Sequence, residues 1–139
     1  DGKLQRLTED RFAELHPQWS PDGKSIVFAT DRGEGTDEAN LLFGDYDLAL
    51  YHLADKRIEN LTTLPGNATS PQWSPDGSAI AFVSDHQSIP NIYRLHLVDQ
   101  QITPVTFLRN GIAGITARVV VRRGAPAICV LSIDLAGFH

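Results

Sequence analysis

Two runs of residues, 26–30 (Ile-Val-Phe-Ala-Thr) and 80–84 (Ile-Ala-Phe-Val-Ser), are short, apolar on both alternating faces and bounded by turn residues. A strand sends successive side chains to opposite faces, so this pattern predicts β-strands covered on both sides. Alternation puts Ile, Phe and Thr or Ser on one face. The other face carries Val27 and Ala29 in the first run and Ala81 and Val83 in the second, a swap that keeps the summed volume. The runs 48–53 and 92–97 predict a third strand. Tight turns at 54–56 and 98–100 then lead to a fourth strand ending Asn60-Leu61-Thr62 or Pro104-Val105-Thr106. The predicted unit is a four-stranded antiparallel meander.

Ahead of each apolar run stands the same turn, Trp19, Ser20, Pro21, Asp22, Gly23 in one copy and Trp73, Ser74, Pro75, Asp76, Gly77 in the other. Proline presets φ, aspartate tolerates the bridge region and glycine takes the left-handed conformation, which together make a hairpin turn. Residues 17–31 and 71–85 agree at ten of fifteen positions at an offset of 54, whereas 47–62 matches 91–106 at an offset of 44. The difference places a ten-residue insertion in the first copy, within 32–46. The underlying period is 44 residues, and segment 4–8 (Leu-Gln-Arg-Leu-Thr) matches a fourth strand whose earlier partners are missing.

A unit of this length with four short strands is the blade of a β-propeller. The Trp-Ser-Pro-Asp-Gly turn, the Ile-x-Phe-x-Ser/Thr-Asp strand and the closing Leu/Val-Thr resemble the TolB-like (WD-like) propeller repeat family, a repeat shared with the propellers of prolyl oligopeptidase-family enzymes. The resemblance covers residues 3–106. The expected fold is therefore all-β, an incomplete β-propeller of two four-stranded antiparallel blades plus a stray strand of a preceding blade. Residues 1–8 are assigned to that strand, 9–62 to the first blade with an acidic inserted loop at 32–46, 63–106 to the second blade, and 107–139 to a degenerate tail. Two blades cannot close a ring, since the smallest propellers have four. The chain, which starts at Asp1 and contains no Met, is expected to be a piece of a longer protein whose further blades are its neighbours.

In the tail the period would put a third Trp-Ser-Pro-Asp-Gly at 117–121, where the chain reads Ala-Arg-Val-Val-Val. Segments 119–126 and 127–133 keep strand propensity without the blade's turns. A diverged blade, a different domain and a shifted reading frame all fit, and the abrupt loss of register favours the last.

Composition narrows the function. A net charge of -5 argues against a phosphate-binding surface, so nucleic acid is not an expected partner. No apolar run approaches the roughly 20 residues of a membrane helix, so no membrane span is expected. One cysteine, Cys129, excludes an internal disulfide. Asn60 and Asn67 fit the glycosylation pattern, but the first lies in a repeat element.

Candidate chemistry is sparse. Trp19 and Trp73 recur at one repeat position, which points to packing between sheets rather than ligand stacking. The five histidines share no metal-ligand spacing, and there is no Gly-x-Ser-x-Gly elbow, so neither catalytic residues, cofactor nor metal are assigned. The insertion carries Asp31, Glu34, Asp37, Glu38, Asp45 and Asp47 against Arg32, a density that fits either a hydrated excursion or calcium, although not in EF-hand spacing. Leu41, Leu42 and Phe43 in the same loop are either tucked beneath it or available to a partner. Asp31 and Asp85 end equivalent strands and either line a binding surface or cap a turn. The open faces of the end blades are expected to leave the chain marginally stable and prone to associate.

The resemblance implies a non-enzymatic protein-interaction scaffold in the bacterial periplasm or cell envelope, with a protein partner. The alternatives are the propeller section of a prolyl oligopeptidase-family hydrolase whose catalytic domain lies outside this chain, and a non-functional gene remnant.

Overall fold

The computed structural model describes residues 2–33, 35–40, 42–107, 109, 114–122 and 125–134, excluding the side chains of 38, 114–122 and 125–134. Four strands, β1 (Glu14–Trp19), β2 (Ser25–Thr30), β3 (Asp47–His52) and β4 (Ile58–Asn60), form one antiparallel sheet in chain order. A second sheet repeats it with β5 (Ala68–Trp73), β6 (Ala79–Ser84), β7 (Asn91–His96) and β8 (Ile102–Pro104). The first strands of the two sheets, β1 and β5, are neighbours, and β5 also packs on β2 and β3. The tail forms a separate two-stranded sheet, β9 (Gly114–Arg122) with β10 (Ala125–Asp134), and β9 lies beside β5 and β6.

Register explains how the sheets stack. Cross-strand partners share a face, so Trp73, Ile80, Leu95 and Ile102 form one row and Phe82 with Tyr93 the next. These side chains face the first blade and form a single core with Val27, Ala29, Leu48, Leu50 and Ala68. Each blade thus has a leading face of Ile, Phe and Trp and a trailing face of smaller aliphatics, and the leading face of the second blade fills the trailing face of the first. The phase read from the alternation of 26–30 and 80–84 is the one observed.

On the leading face of the first blade, the equivalent residues Ile26, Phe28, Ala49 and Tyr51 form their own buried cluster. No sheet covers them among the described residues. Residues before β1 fold back instead, held by Arg32, whose guanidinium pairs with Asp10 at 3.0 Å and Glu14 at 2.7 Å and lies over the rings of Phe12 and Phe28. This face is therefore more completely covered than the sequence suggested. The cover stops short of Trp19, which is 59 % exposed. Segment 4–8 also differs from expectation, because it carries no strand and Leu4 is fully exposed. A fourth strand is held by hydrogen bonds to a third, and among the described residues no third strand lies beside 4–8.

The two tryptophans diverge for the same reason. Trp73 is half-buried between the blades and its Nε1–H donates to the Gln18 carbonyl at 3.2 Å, whereas no sheet covers Trp19 among the described residues. Core packing therefore holds for Trp73 and not for Trp19. Trp73→Phe should cost about 1 kcal/mol through the lost inter-blade hydrogen bond. Trp19→Phe should change stability by less than about 0.5 kcal/mol. Urea denaturation of the two variants separates them, and equal losses would contradict the account.

Candidate interaction surface

In an antiparallel meander, connections alternate between the two ends of the sheet. One rim therefore carries the β1–β2 and β5–β6 turns, and the opposite rim carries the insertion, segment 61–67 and the loop after β6.

At the first rim the two Trp-Ser-Pro-Asp-Gly turns are near copies. Ser20 Oγ donates to Asp22 Oδ1 at 2.6 Å while accepting the Ser25 N–H at 3.0 Å, and the Lys24 N–H also reaches Asp22 Oδ1. In the second copy Ser74 Oγ donates to Asp76 Oδ1 and accepts the Ala79 N–H, and Ser78 donates to Asp76 Oδ1 through both its N–H and its hydroxyl. Gly23 and Gly77 take φ of 70° and 73°. These bonds hold both carboxyls below the usual range. The Ser20 hydroxyl is the main cause at Asp22, and the Ser74 hydroxyl at Asp76, which falls to about 2. The motif residues are thus engaged in closing the hairpins.

At the second rim, Asp31 Oδ1 accepts the N–H of Ala13 at 2.8 Å and Asp85 Oδ1 that of Asn67 at 2.6 Å. Both aspartates tether the residue just before the inner strand of their own blade. Asp31 is buried in doing so. The carboxamide of Asn67 bonds to Asp85 Oδ2 and to the Tyr46 N–H, a packing role for this member of the glycosylation pattern.

The closing Leu/Val-Thr element also has a geometric role that the sequence did not disclose. The Thr62 hydroxyl donates to Asp47 Oδ1 and accepts the Leu48 N–H, both at 2.9 Å, and Thr106 does the same with Asn91 and Ile92. Each threonine pins the end of its blade to the start of the third strand.

The insertion is folded against these anchors. Asp45 Oδ2 accepts the Gly66 N–H, Tyr46 bonds to 67 and 68, and Thr36 links the Asp31 carbonyl to the Gly44 N–H. Its tip is a 3-10 turn at Glu38–Asn40, closed by an Asp37–Leu42 bridge. Asp37 accepts bonds from Ala39 and from Asn40, whose side chain is the main cause of its lowered pKa. Asp31, Asp37, Asp45 and Asp47 are each taken up in separate backbone and side-chain bonds, Glu34 and the Glu38 side chain lie outside the described residues, and no three metal-ligating side chains converge among the described residues. Leu42 and Phe43 point outward, 57 % and 70 % exposed, while Leu41 lies outside the described residues.

Beneath the insertion, a cleft of about 640 Å³ is lined by Asp45, Asp47 and Asn60. Burial pushes the Asp47 carboxyl up, the Thr62 hydroxyl opposes this and the neighbouring Asp45 charge adds to it. An aspartate with a raised folded-state pKa disfavours folding once ionised, and this penalty is absent below the unfolded value of 3.8. Asn91 holds the equivalent position and accepts the Thr106 hydroxyl without a charge. Asp47→Asn should therefore raise the melting temperature at pH 7, with the gain fading as pH falls below 4. A gain that persists at pH 3 would count against the charge argument.

No family model matches the chain. Two successive four-stranded meanders, stacked leading face on trailing face around adjacent inner strands, are blades of a β-propeller. Their fold is similar to that of TolB propellers. TolB from Acinetobacter baumannii superposes on 93 % of this chain with a TM-score of 0.65 at 22 % identity, and the chain covers 33 % of it. In sequence, the Tol-Pal system protein TolB of Francisella tularensis subsp. holarctica is 36 % identical over 92 residues, 65 % of this chain and 19 % of that protein. Dipeptidyl-peptidase 5 of Porphyromonas gingivalis is 37 % identical over 67 residues, 48 % of this chain and 10 % of that protein. The chain thus spans a third or less of each of these relatives. No helix among the described residues is long and apolar enough to cross a membrane.

Proposed function

We propose that this chain is a section of a non-enzymatic propeller that displays a protein-binding rim, working as a TolB-type scaffold in the bacterial cell envelope. The observation that carries this reading is the insertion. A loop that belongs to the first blade and is tied to the second through Asp45 and Tyr46 presents Leu42 and Phe43 to solvent, and rigidly presented apolar side chains cost little entropy to bury against a partner. Ser20, Ser74, Asp31 and Asp85 are occupied in closing turns and tethering strands, which supports a structural use for these residues. The envelope location rests on the resemblance to TolB.

Photo-crosslinking from position 43 of the parent protein, followed by osmotic-shock fractionation, tests the reading. A discrete adduct in the periplasmic fraction, lost with Leu42→Ser, is expected. No adduct, or an adduct confined to the cytoplasm, overturns it.

A second reading, the propeller of a hydrolase, draws on the similarity to dipeptidyl-peptidase 5. Hydrolysis of dipeptidyl nitroanilides by the parent protein, blocked by a serine-directed inhibitor, would favour it. Flanking sequence discriminates further, because additional blades alone favour the scaffold and a Gly-x-Ser-x-Gly segment the hydrolase. Stop codons, or a propeller motif restored by another reading frame across the tail, favour a gene remnant.

A further inference from the structure

A groove of about 490 Å³ runs between the turn of the first blade and the turn of the second, within the size range of ligand sites. Its lining includes Pro21, Leu50, Trp73 and Leu97, and its charged members among the described residues are Asp22 and Asp76. The turns close together here, since a Cβ on Gly77 would lie 3.8 Å from Pro21 Cδ. Among the described residues, the turn's hydrogen bonds from Ser20 and Lys24 to Asp22, and from Ser74 and Ser78 to Asp76, land on Oδ1, so the second oxygen of each carboxylate is not used by those partners. The same bonds hold both groups ionised well into the acid range. Lys24, next to the first turn, is not part of the lining, although its charge is felt at Asp22.

We infer that this groove binds an arginine side chain presented by a protein partner, with its guanidinium against Trp73 between Asp22 and Asp76 and its aliphatic stem over Leu50 and Leu97. The occupant follows from complementarity. The groove offers two like negative charges, an aromatic wall and an apolar floor. Guanidinium is a planar, weakly hydrated cation that stacks on indole and donates several N–H groups to carboxylates from an apolar stem. An ammonium is more strongly hydrated and lacks the fork, and a neutral side chain leaves the carboxylates unanswered. This inference rests on the scaffold reading and adds partner chemistry to it, on the rim opposite the insertion. Because the groove takes Asp22 from one blade and Trp73 and Asp76 from the next, it recurs wherever two blades of this repeat meet, giving a ring several such sites.

Titration of the 139-residue chain with the tripeptide acetyl-Gly-Arg-Gly-amide, followed by nitrogen–proton chemical shifts, tests the inference. Saturable shifts at about millimolar peptide are expected at Trp73 Nε1 and at the Gly23 and Gly77 amides. Trp19 holds the same repeat position without a preceding turn and should not move. The Lys peptide should bind more weakly and the Gln peptide more weakly still. Asp22→Asn with Asp76→Asn keeps an Oδ1 acceptor for each turn and should weaken binding by about tenfold. Equal shifts at both tryptophans, equal binding of the Gln peptide, or undiminished binding by the double variant overturns the inference. Should that variant not fold, the wild-type comparison of peptides and the loss of affinity with added salt decide the matter. This experiment reads the turn rim alone, so its failure leaves the Leu42–Phe43 contact standing, and failure of the crosslinking leaves this result intact.

Discussion

Phe82→Ala should destabilise the chain by about 3–5 kcal/mol, the usual cost of emptying a fully buried aromatic site. Phe82 has no exposure, lies tilted against Tyr93 at 6.1 Å and belongs to a cluster that contains residues of both blades. Its loss opens a cavity between two sheets whose backbones are held by their own ladders and cannot collapse far. Phe28, its repeat equivalent, supplies the control. That ring is buried with the Arg32 guanidinium over it, the same group that lies over Phe12, and no sheet covers it among the described residues. A covering segment without a ladder of its own can close over the gap, so Phe28→Ala should cost less. Urea denaturation followed by tryptophan fluorescence measures both. Equal losses would mean that the inter-blade core is no more rigid than the N-terminal cover.

Gly66→Ala should be nearly as damaging, by about 3 kcal/mol, for a backbone reason. Gly66 has φ of 82°, a conformation that costs a residue with a Cβ about 1–2 kcal/mol by itself. The added methyl would also press into Asp85 Oδ1 and come within 3.3 Å of His86 Cα. Asp85 cannot yield freely, because that oxygen accepts the Asn67 N–H. Relief therefore requires giving up the tether at the start of β5. Gly23 isolates the conformational part, since its φ is 70° and a Cβ there would meet nothing within 4 Å. Gly23→Ala should cost about 1 kcal/mol. If thermal melts show the two alanine variants falling equally, the contact with Asp85 contributes nothing.

Much of the blade was legible because its determinants are local. Turn chemistry at 20–23 and 74–77 depends on the φ preferences of proline and glycine and on an aspartate two residues from its serine. Strand faces follow from alternation, and the repeat exposed the period. The closing threonines were visible as a repeated pattern, yet their use as pins to the third strand was not, because they act across 14 and 15 residues. Nothing in the sequence singled out Arg32, whose repeat equivalent is His86, or the repeated bulge in the inner strands. There His16 and Ser70 both take φ of 53° ahead of a proline, and the Ser70 N–H approaches His16 Nδ1 at 3.3 Å. Such contacts join segments about 20 to 50 residues apart and leave no periodic trace.

By itself the sequence determined the four-stranded unit, its two copies, the phase of their faces and the place of the insertion, since each depends on preferences within a few neighbouring residues. Tertiary structure decided which tryptophan is buried, what covers Phe28, and which bonds Asp31, Asp37, Asp45 and Asp47 make. It also made the groove between the turns, because burial and the pairing of distant carboxylates exist only once one sheet is laid against another.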